Sequence, residues 1–360
     1  RRQRQMCIRD SYIYNQFHYL SDHEGYPVYK NTDIEFYSIG EEGLEAQLTE
    51  LEKAEKFIFM EYHAIEEASS FDRIKDVLIK KAAAGVEVRL FYDDVGSIFF
   101  LNKDFIKEMR ANGIDCRVFN PIKLAFNMFM NNRDHRKILV IDGHTAYTGG
   151  VNLADEYINR KVRFGHWKDN AIRLKGEAVR NFTVMFLEHW NAFRPSETDY
   201  DAFRPMPLVT PVSDGIVQPY ADSPLDEEPM AETVYLNILA QAQRYVYIYT
   251  PYLAVGEEML DALKNAAKRG VDIRLVLPGI PDKKLVFRLS RSYYLPLVRA
   301  GVRIYEYTPG FLHAKCWVSD DVTAVVGSIN MDYRSLFLHF ECGVLPVSYT
   351  HLRAHETAAN

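Results

Sequence analysis

DHRKILVIDGHTAYTGGVNLADEY, from Asp134 to Tyr157, and LHAKCWVSDDVTAVVGSINMDYRS, from Leu312 to Ser335, are two copies of one pattern. Each carries His-x-Lys-x-x-x-x-Asp: His135, Lys137 and Asp142 in the first, His313, Lys315 and Asp320 in the second. The apolar runs that follow each Lys predict strands. Residues i and i+2 of a strand share a face, so each His and Lys is expected to sit on a strand and project into one site. A turn and a second strand follow, ending in GGVN (Gly149, Gly150, Asn152) and GSIN (Gly327, Ser328, Asn330). The His-to-Asn spacing is the same in both copies, which returns each Asn to the end of the sheet where its His lies. Glycines there let backbone approach a ligand closely.

Working outward, three more blocks recur in the same order. EKFIFMEYHAI (from Glu55) matches QRYVYIYTPYLAV (from Gln243), AAAGVEVRLFYDD (from Ala82) matches AAKRGVDIRLVLPG (from Ala266), and MRANGIDCRVFNP (from Met109) matches LVRAGVRIYEYTPG (from Leu297). Val/Ile/Phe/Tyr-rich runs alternate with helical patterns over Phe71–Ala84 and Glu257–Lys268, each stopped by a glycine, Gly85 or Gly270. Strand-helix-strand repetition predicts an α/β protein of two similar α/β/α halves, 12–204 and 232–346, related by a pseudo-twofold axis, with the site at their interface. A repeat of domain size is not a solenoid unit. Residues 205–231 hold Pro205, Pro207, Pro211, Pro219, Pro224 and Pro229, which forbids a continuous helix and predicts a crossover with one edge strand at Gly215–Tyr220.

The chain has 360 residues, 48% hydrophobic and 26% charged, enough for two cores, and this composition excludes collagenous, disordered and disulfide-framework readings. It has no apolar run of about 18 residues that would span a bilayer. Cys7, Cys116, Cys316 and Cys342 lack the spacing of a zinc site and fit a reducing compartment. The formal charge of −6 argues against a general nucleic-acid binder, so nucleic acid is not an expected partner. Both ends are set aside from the fold. RRQRQMCIRDS (1–11) and VSYTHLRAHET (Val347–Thr357) read as translations of inverted copies of one short sequencing-adapter DNA element, so 1–11 and 347–360 are expected to be non-native and both natural termini missing.

A lone His near a Lys is usually a surface pair; duplication of His, Lys, Asp, Gly and Asn inside matched strands points instead to a bipartite catalytic site. Displacement at a phosphodiester needs a nucleophile, a proton donor for the leaving alkoxide and positive charge around the oxygens. Two imidazoles with pKa values near 6.5 can supply the first two and exchange roles. Two lysines supply the third, with Asn152 and Asn330 as neutral donors, so the chemistry requires no metal and no cofactor.

The duplicated motif resembles the phospholipase D superfamily and, through NNRDHRKILVIDGHTAYTGGVNLADEY, GHWKDNAIRLKGEAV, PDKKLVFRLSRSYYLPL, YEYTPGFLHAKCWVSDD and GSINMDYRSLFLHFE, the bacterial cardiolipin synthases. The resemblance covers nearly all of Tyr12 to Pro346. It implies phosphatidyl transfer between two phosphatidylglycerol molecules, giving cardiolipin and glycerol through a phosphatidyl-histidine, with His135 as nucleophile and His313 as acid/base. It also implies a phosphate clamp of Lys137, Lys315, Asn152 and Asn330, and histidine-orienting carboxylates Asp169 and Glu341. Asp142 and Asp320 belong to the catalytic motif, where organising the strand-end turn is the expected task. The implied location is the surface of the bacterial cytoplasmic membrane, with an anchor upstream of this sequence. His339 departs from the Asn expected before Phe340.

Weaker signals remain. The apolar stretch 123–130, KLAFNMFM, reads equally as a packing helix or as a lip meeting acyl chains. Lys283, Lys284, Arg288 and Arg291, followed by Tyr293 and Tyr294, form either a solvated helix face or a surface toward anionic head groups. Tyr62, His63 and Tyr252 are candidates for the cleft wall. The rival functions are a hydrolytic phospholipase D or another transphosphatidylase, then a nuclease, then a lipid-binding module without catalysis.

Overall fold

A computed structural model describes residues 14–122, 131–193, 195–196, 199–205, 215–226 and 228–347. The sequence readings for 1–11, for KLAFNMFM and for 348–360 lie outside the described residues. The strands, in chain order, are β1 (Thr32–Tyr37), β2 (Phe57–Tyr62), β3 (Glu87–Asp93), β4 (Ile114–Phe119), β5 (Arg133–Asp134), β6 (Lys137–Ile141), β7 (Thr145–Gly149), β8 (His166–Lys168) and β9 (Ala171–Gly176). They continue with β10 (Ile216–Asp222), β11 (Tyr245–Tyr249), β12 (Leu253–Ala254), β13 (Asp272–Pro278), β14 (Arg303–Tyr307), β15 (Gly310–Leu312), β16 (Cys316–Ser319), β17 (Thr323–Gly327), β18 (Met331–Asp332) and β19 (His339–Val347).

The duplication is visible in the topology. One sheet runs β1-β9-β7-β6-β2-β3-β4 and the other β10-β19-β17-β16-β11-β13-β14, the same seven positions in the same order. In each, three strands are parallel (β2, β3, β4 and β11, β13, β14) and the motif hairpin (β6-β7 and β16-β17) joins them antiparallel. The edge strand anticipated at Gly215–Tyr220 is β10, paired antiparallel with β19.

The longer helices are α1 (Gly40–Leu51), α2 (Ser69–Ala83), α3 (Phe105–Ala111), α4 (Val179–Phe193), α5 (Met230–Gln241), α6 (Glu257–Lys268), α7 (Lys284–Ser292) and α8 (Tyr294–Ala300). Gly85 and Gly270 stop α2 and α6 with φ of 91° and 93°, a backbone region that favours glycine. Strand alternation sorts the apolar residues into layers. Ile58, Met60, Leu139 and Ile141 face α1 to α3, while Phe57, Phe59, Ile138 and Val140 face the other way. That second face meets Phe182, Phe186 and Trp190 of α4, and beyond them Cys316, Val326, Cys342 and Val344 of the second sheet. A single core therefore spans the two sheets. No helix among the described residues is long and apolar enough to cross a membrane.

Candidate active site

The short strands are the devices that build the site. β5 leaves its own half and pairs parallel with the start of β19 (His339↔Arg133, Phe340↔Asp134). β15 likewise pairs with β8 (Gly310↔His166, Leu312↔Lys168). Each motif histidine sits where the chain passes from the other half's strand into its own sheet. His135 N donates to Phe340 O at 2.9 Å, and His313 N donates to Lys168 O at 2.7 Å. The expectation that the histidines lie on the strands is corrected: Lys137 opens β6, but His135, His313 and Lys315 lie in the step before the sheet strand. The reason is that the His135 and His313 N–H groups bond to backbone across the interface rather than along their own ladder.

This crossing puts each ring against the next residue of the opposite half. His135 Nδ1 is 2.9 Å and 3.0 Å from the Glu341 carboxylate oxygens, and His313 Nδ1 is 2.7 Å from Asp169 Oδ2. A buried carboxylate accepts, so Nδ1 carries the proton and Nε2 is left with its lone pair. Glu341 is held in turn by the Ser328 and Ser335 hydroxyls, each at 2.5 Å. Asp169 accepts from Trp167 Nε1 at 3.3 Å and Asn170 N at 2.9 Å. Against burial, which raises its pKa, the neighbouring His313 and Lys315 hold Asp169 below the usual carboxylate value.

His135, His313, Asn152 and Asn330 all line one cleft of about 670 Å³ between the halves. Lys137 and Lys315 lie fully beneath it, their ammonium groups donating to the carbonyls of His135 and His313, with Lys315 Nζ 3.0 Å from His313 Nε2. Burial, opposed by Glu341, drives Lys137 down to about 8, and burial, opposed by Asp169, drives Lys315 down to about 7. Burial and then Lys315 lower His313 to about 4, and burial and then Lys137 lower His135 well below its ordinary value. Both shifts favour the neutral imidazole at neutral pH. The Asn152 amide is fixed by Tyr157 OH (2.9 Å) and Ala64 N (3.2 Å), whereas Asn330 Oδ1 is buried with no partner among the described residues.

Asp142 and Asp320 are not brought to the cleft. Asp142 accepts from the backbone N–H groups of Glu55, Lys56 and Phe57 at 2.7–2.8 Å, and Asp320 from those of Gln243, Arg244 and Tyr245 at 2.8–2.9 Å. Both hold the far end of the sheet. Of the proposed wall residues, His63 and Tyr252 line the cleft; Tyr62 points into the core and donates to Gln47 Oε1. The sequence reading missed Tyr157, Trp167, Ser335 and the Arg133–Asp93 ion pair (2.9 Å) that anchors β5. Trp167 and His339 take matching places: their rings lie 5.3 Å from His313 and 5.4 Å from His135.

Among the described residues, two side-chain groups have donor atoms close enough to share a metal ion: His135 with His339 and Glu341, and Glu61 with Asp134 and His189. Neither fits one well. Glu341 is already engaged by His135 and two serines, and the second group surrounds Arg136, whose Nη2 is 2.7 Å from Glu61 Oε1 and supplies the positive charge. Within that group burial, reinforced by Glu61, pushes Asp134 up to about 8.

Residues 48–190 and 235–355 match the family described as cardiolipin synthase, PLD-like domain. The chain is 49% identical over 334 residues to an uncharacterized protein of Streptococcus mutans, covering 91% of this chain and 71% of that one. It is 41% identical over 303 residues to a cardiolipin synthase of Geobacillus thermodenitrificans, covering 84% of this chain and 60% of the relative's length. Among solved structures, phosphatidylserine synthase of Haemophilus influenzae shares the fold, with a TM-score of 0.69 at 14% identity over 90% of this chain and 84% of that one.

Proposed function

The chain belongs to the cardiolipin synthase family of PLD-like proteins, and we propose that it transfers a phosphatidyl group from one phosphatidylglycerol to the head-group hydroxyl of another. The observation that supports this most is the pair of motif imidazoles, each with Nδ1 tied to a carboxylate of the opposite half, opening on one cleft.

His135 Nε2 attacks phosphorus, the P–O bond to glycerol breaks, and His313 gives its proton to the departing oxygen. The hydroxyl of the second phosphatidylglycerol then attacks, its proton passes to His313, and the P–N bond breaks. His313 must be protonated for the first step, although burial and Lys315 favour its neutral form. Burial and then the lysines depress the imidazoles, and a phosphodiester anion between Lys137 and Lys315 offsets the lysine repulsion and adds its own attraction for the imidazolium. Asn152 and Asn330 donate to the non-bridging oxygens, which gain charge in the transition state. Asp169 and Glu341 keep each ring in its reacting tautomer. The protein works at the surface of the bacterial cytoplasmic membrane, where both substrates reside.

Incubation with phosphatidylglycerol in mixed micelles, followed by mass spectrometry, tests the reaction. Cardiolipin and free glycerol in equal amounts are expected. Phosphatidic acid as the sole product makes the protein a hydrolase, and turnover that survives His135→Ala or His313→Ala excludes the two-histidine mechanism.

A further inference from the structure

Helix α7, KLVFRLSRS, is built inside out for a soluble protein. Within it only Ser290 is buried, while Leu285 is 78% and Leu289 49% exposed, and α8 continues the exposed apolar surface with Leu295 and Val298. Leu285 and Leu289 are one helical turn apart and share a face. Beside them Lys284, Arg288 and Arg291 form a second stripe, at i, i+4 and i+7. From Lys283 to Ala300 the sequence has no acidic residue, although the chain as a whole carries −6. Lys284 and Arg288 have no ion-pair partner among the described residues; Arg291 is 3.5 Å from Glu306.

The first half presents a matching feature. Ile98, Phe99 and Phe100 follow the end of β3 and are exposed, Phe99 to 90%. Val95, in the same turn, lines the cleft that holds His135 and His313, and so do Lys283, Val286 and Leu289. The two apolar segments thus flank the mouth of one cleft, one from each half. Exposed aromatic and leucine side chains beside a basic stripe are the composition of a helix that lies in a membrane interface.

We propose that α7 with α8 and the Ile98–Phe100 turn are two prongs that seat the cleft mouth on an anionic lipid surface, leucine and phenylalanine entering the acyl boundary and the basic stripe meeting the head groups. The partner is a bilayer rich in phosphatidylglycerol: the charge of the stripe calls for an anionic surface, and the identity of the lipid rests on the proposed reaction. Seated this way, the cleft receives a lipid phosphate without the lipid leaving the bilayer.

Co-sedimentation with vesicles tests the surface without requiring turnover. The chain is expected to pellet with equimolar phosphatidylglycerol/phosphatidylcholine vesicles and weakly with phosphatidylcholine alone. Phe99→Glu with Leu285→Glu should lower partitioning about tenfold or more, and Lys284→Glu with Arg288→Glu should abolish the preference for the anionic vesicles. All four positions are exposed, and both double variants should turn over monomeric short-chain phosphatidylglycerol as the native chain does. Undiminished vesicle binding by the double variants overturns the proposal. So does a change of oligomeric state in the ultracentrifuge without loss of vesicle binding, which would make a second copy the occupant. Vesicle binding lost in these variants but intact in His313→Ala, with no transfer by the native chain, would uphold the docking surface and refute the reaction.

Discussion

Asp169 and Glu341 perform one task with carboxylates of different length, and the residue opposite each has adjusted. A Cβ on Gly150 would lie 2.0 Å from Asp169 Oδ1, so only glycine fits there. At the matched position of the second copy, Ser328 fills the space and donates its hydroxyl to Glu341. The difference between GGVN and GSIN, which looks incidental in sequence, follows from which carboxylate stands opposite. On the proposed mechanism the lysines should set the pH response. Burial lowers Lys137 to about 8 and Lys315 to about 7, so both ammonium groups are present below those values and are lost as pH rises through them. If phosphate binding depends on both charges, kcat/KM should fall about tenfold per pH unit from roughly pH 7 and about a hundredfold per unit above roughly pH 8. Lys315→Met should lower kcat/KM by about two orders of magnitude at neutral pH and flatten this limb. A pH–rate profile that stays level to pH 10 contradicts the assignment.

At the scale of elements, the motif aspartates act on the strands. Asp142 and Asp320 each collect three backbone N–H groups at the start of β2 or β11, donors that no ladder satisfies there. Asp320→Ala strands three donors and should cost about 2–4 kcal/mol of unfolding free energy in urea, while kcat measured below the melting transition stays within about threefold of native. Loss of kcat at full folding would instead place this carboxylate in the chemistry. Sheets, helices and the edge strand β10 were legible because apolar alternation, the glycine stops after α2 and α6, and the doubled blocks all agree. β5 and β15 were not: strands of two and three residues have no period to read, and their partners lie in the other half. For the same reason the histidine-orienting role of Asp169 and Glu341 came only through family resemblance, and which histidine each serves, like the places of Trp167 and Ser335, not at all.

At the scale of the molecule, neither half holds a complete site. Each gives the other a carboxylate, a short strand and one side of a core in which α4 packs between the two sheets. Two copies of one α/β unit have become a single enzyme-like body because each histidine depends on its counterpart's half. The two histidines nevertheless differ in surroundings, His135 lying near His63 and His339, and His313 near Tyr157, Trp167 and Phe311. That asymmetry accompanies the division of labour proposed for them. A phosphatidyl ester of 4-nitrophenol separates their roles, because nitrophenolate departs without a proton. His313→Ala should release a burst of about one nitrophenolate per protein, with the phosphatidyl group on the His135 peptide, and then stall for want of a base; His135→Ala should release none. A burst from His135→Ala, or the adduct on any residue other than His135, would contradict the account.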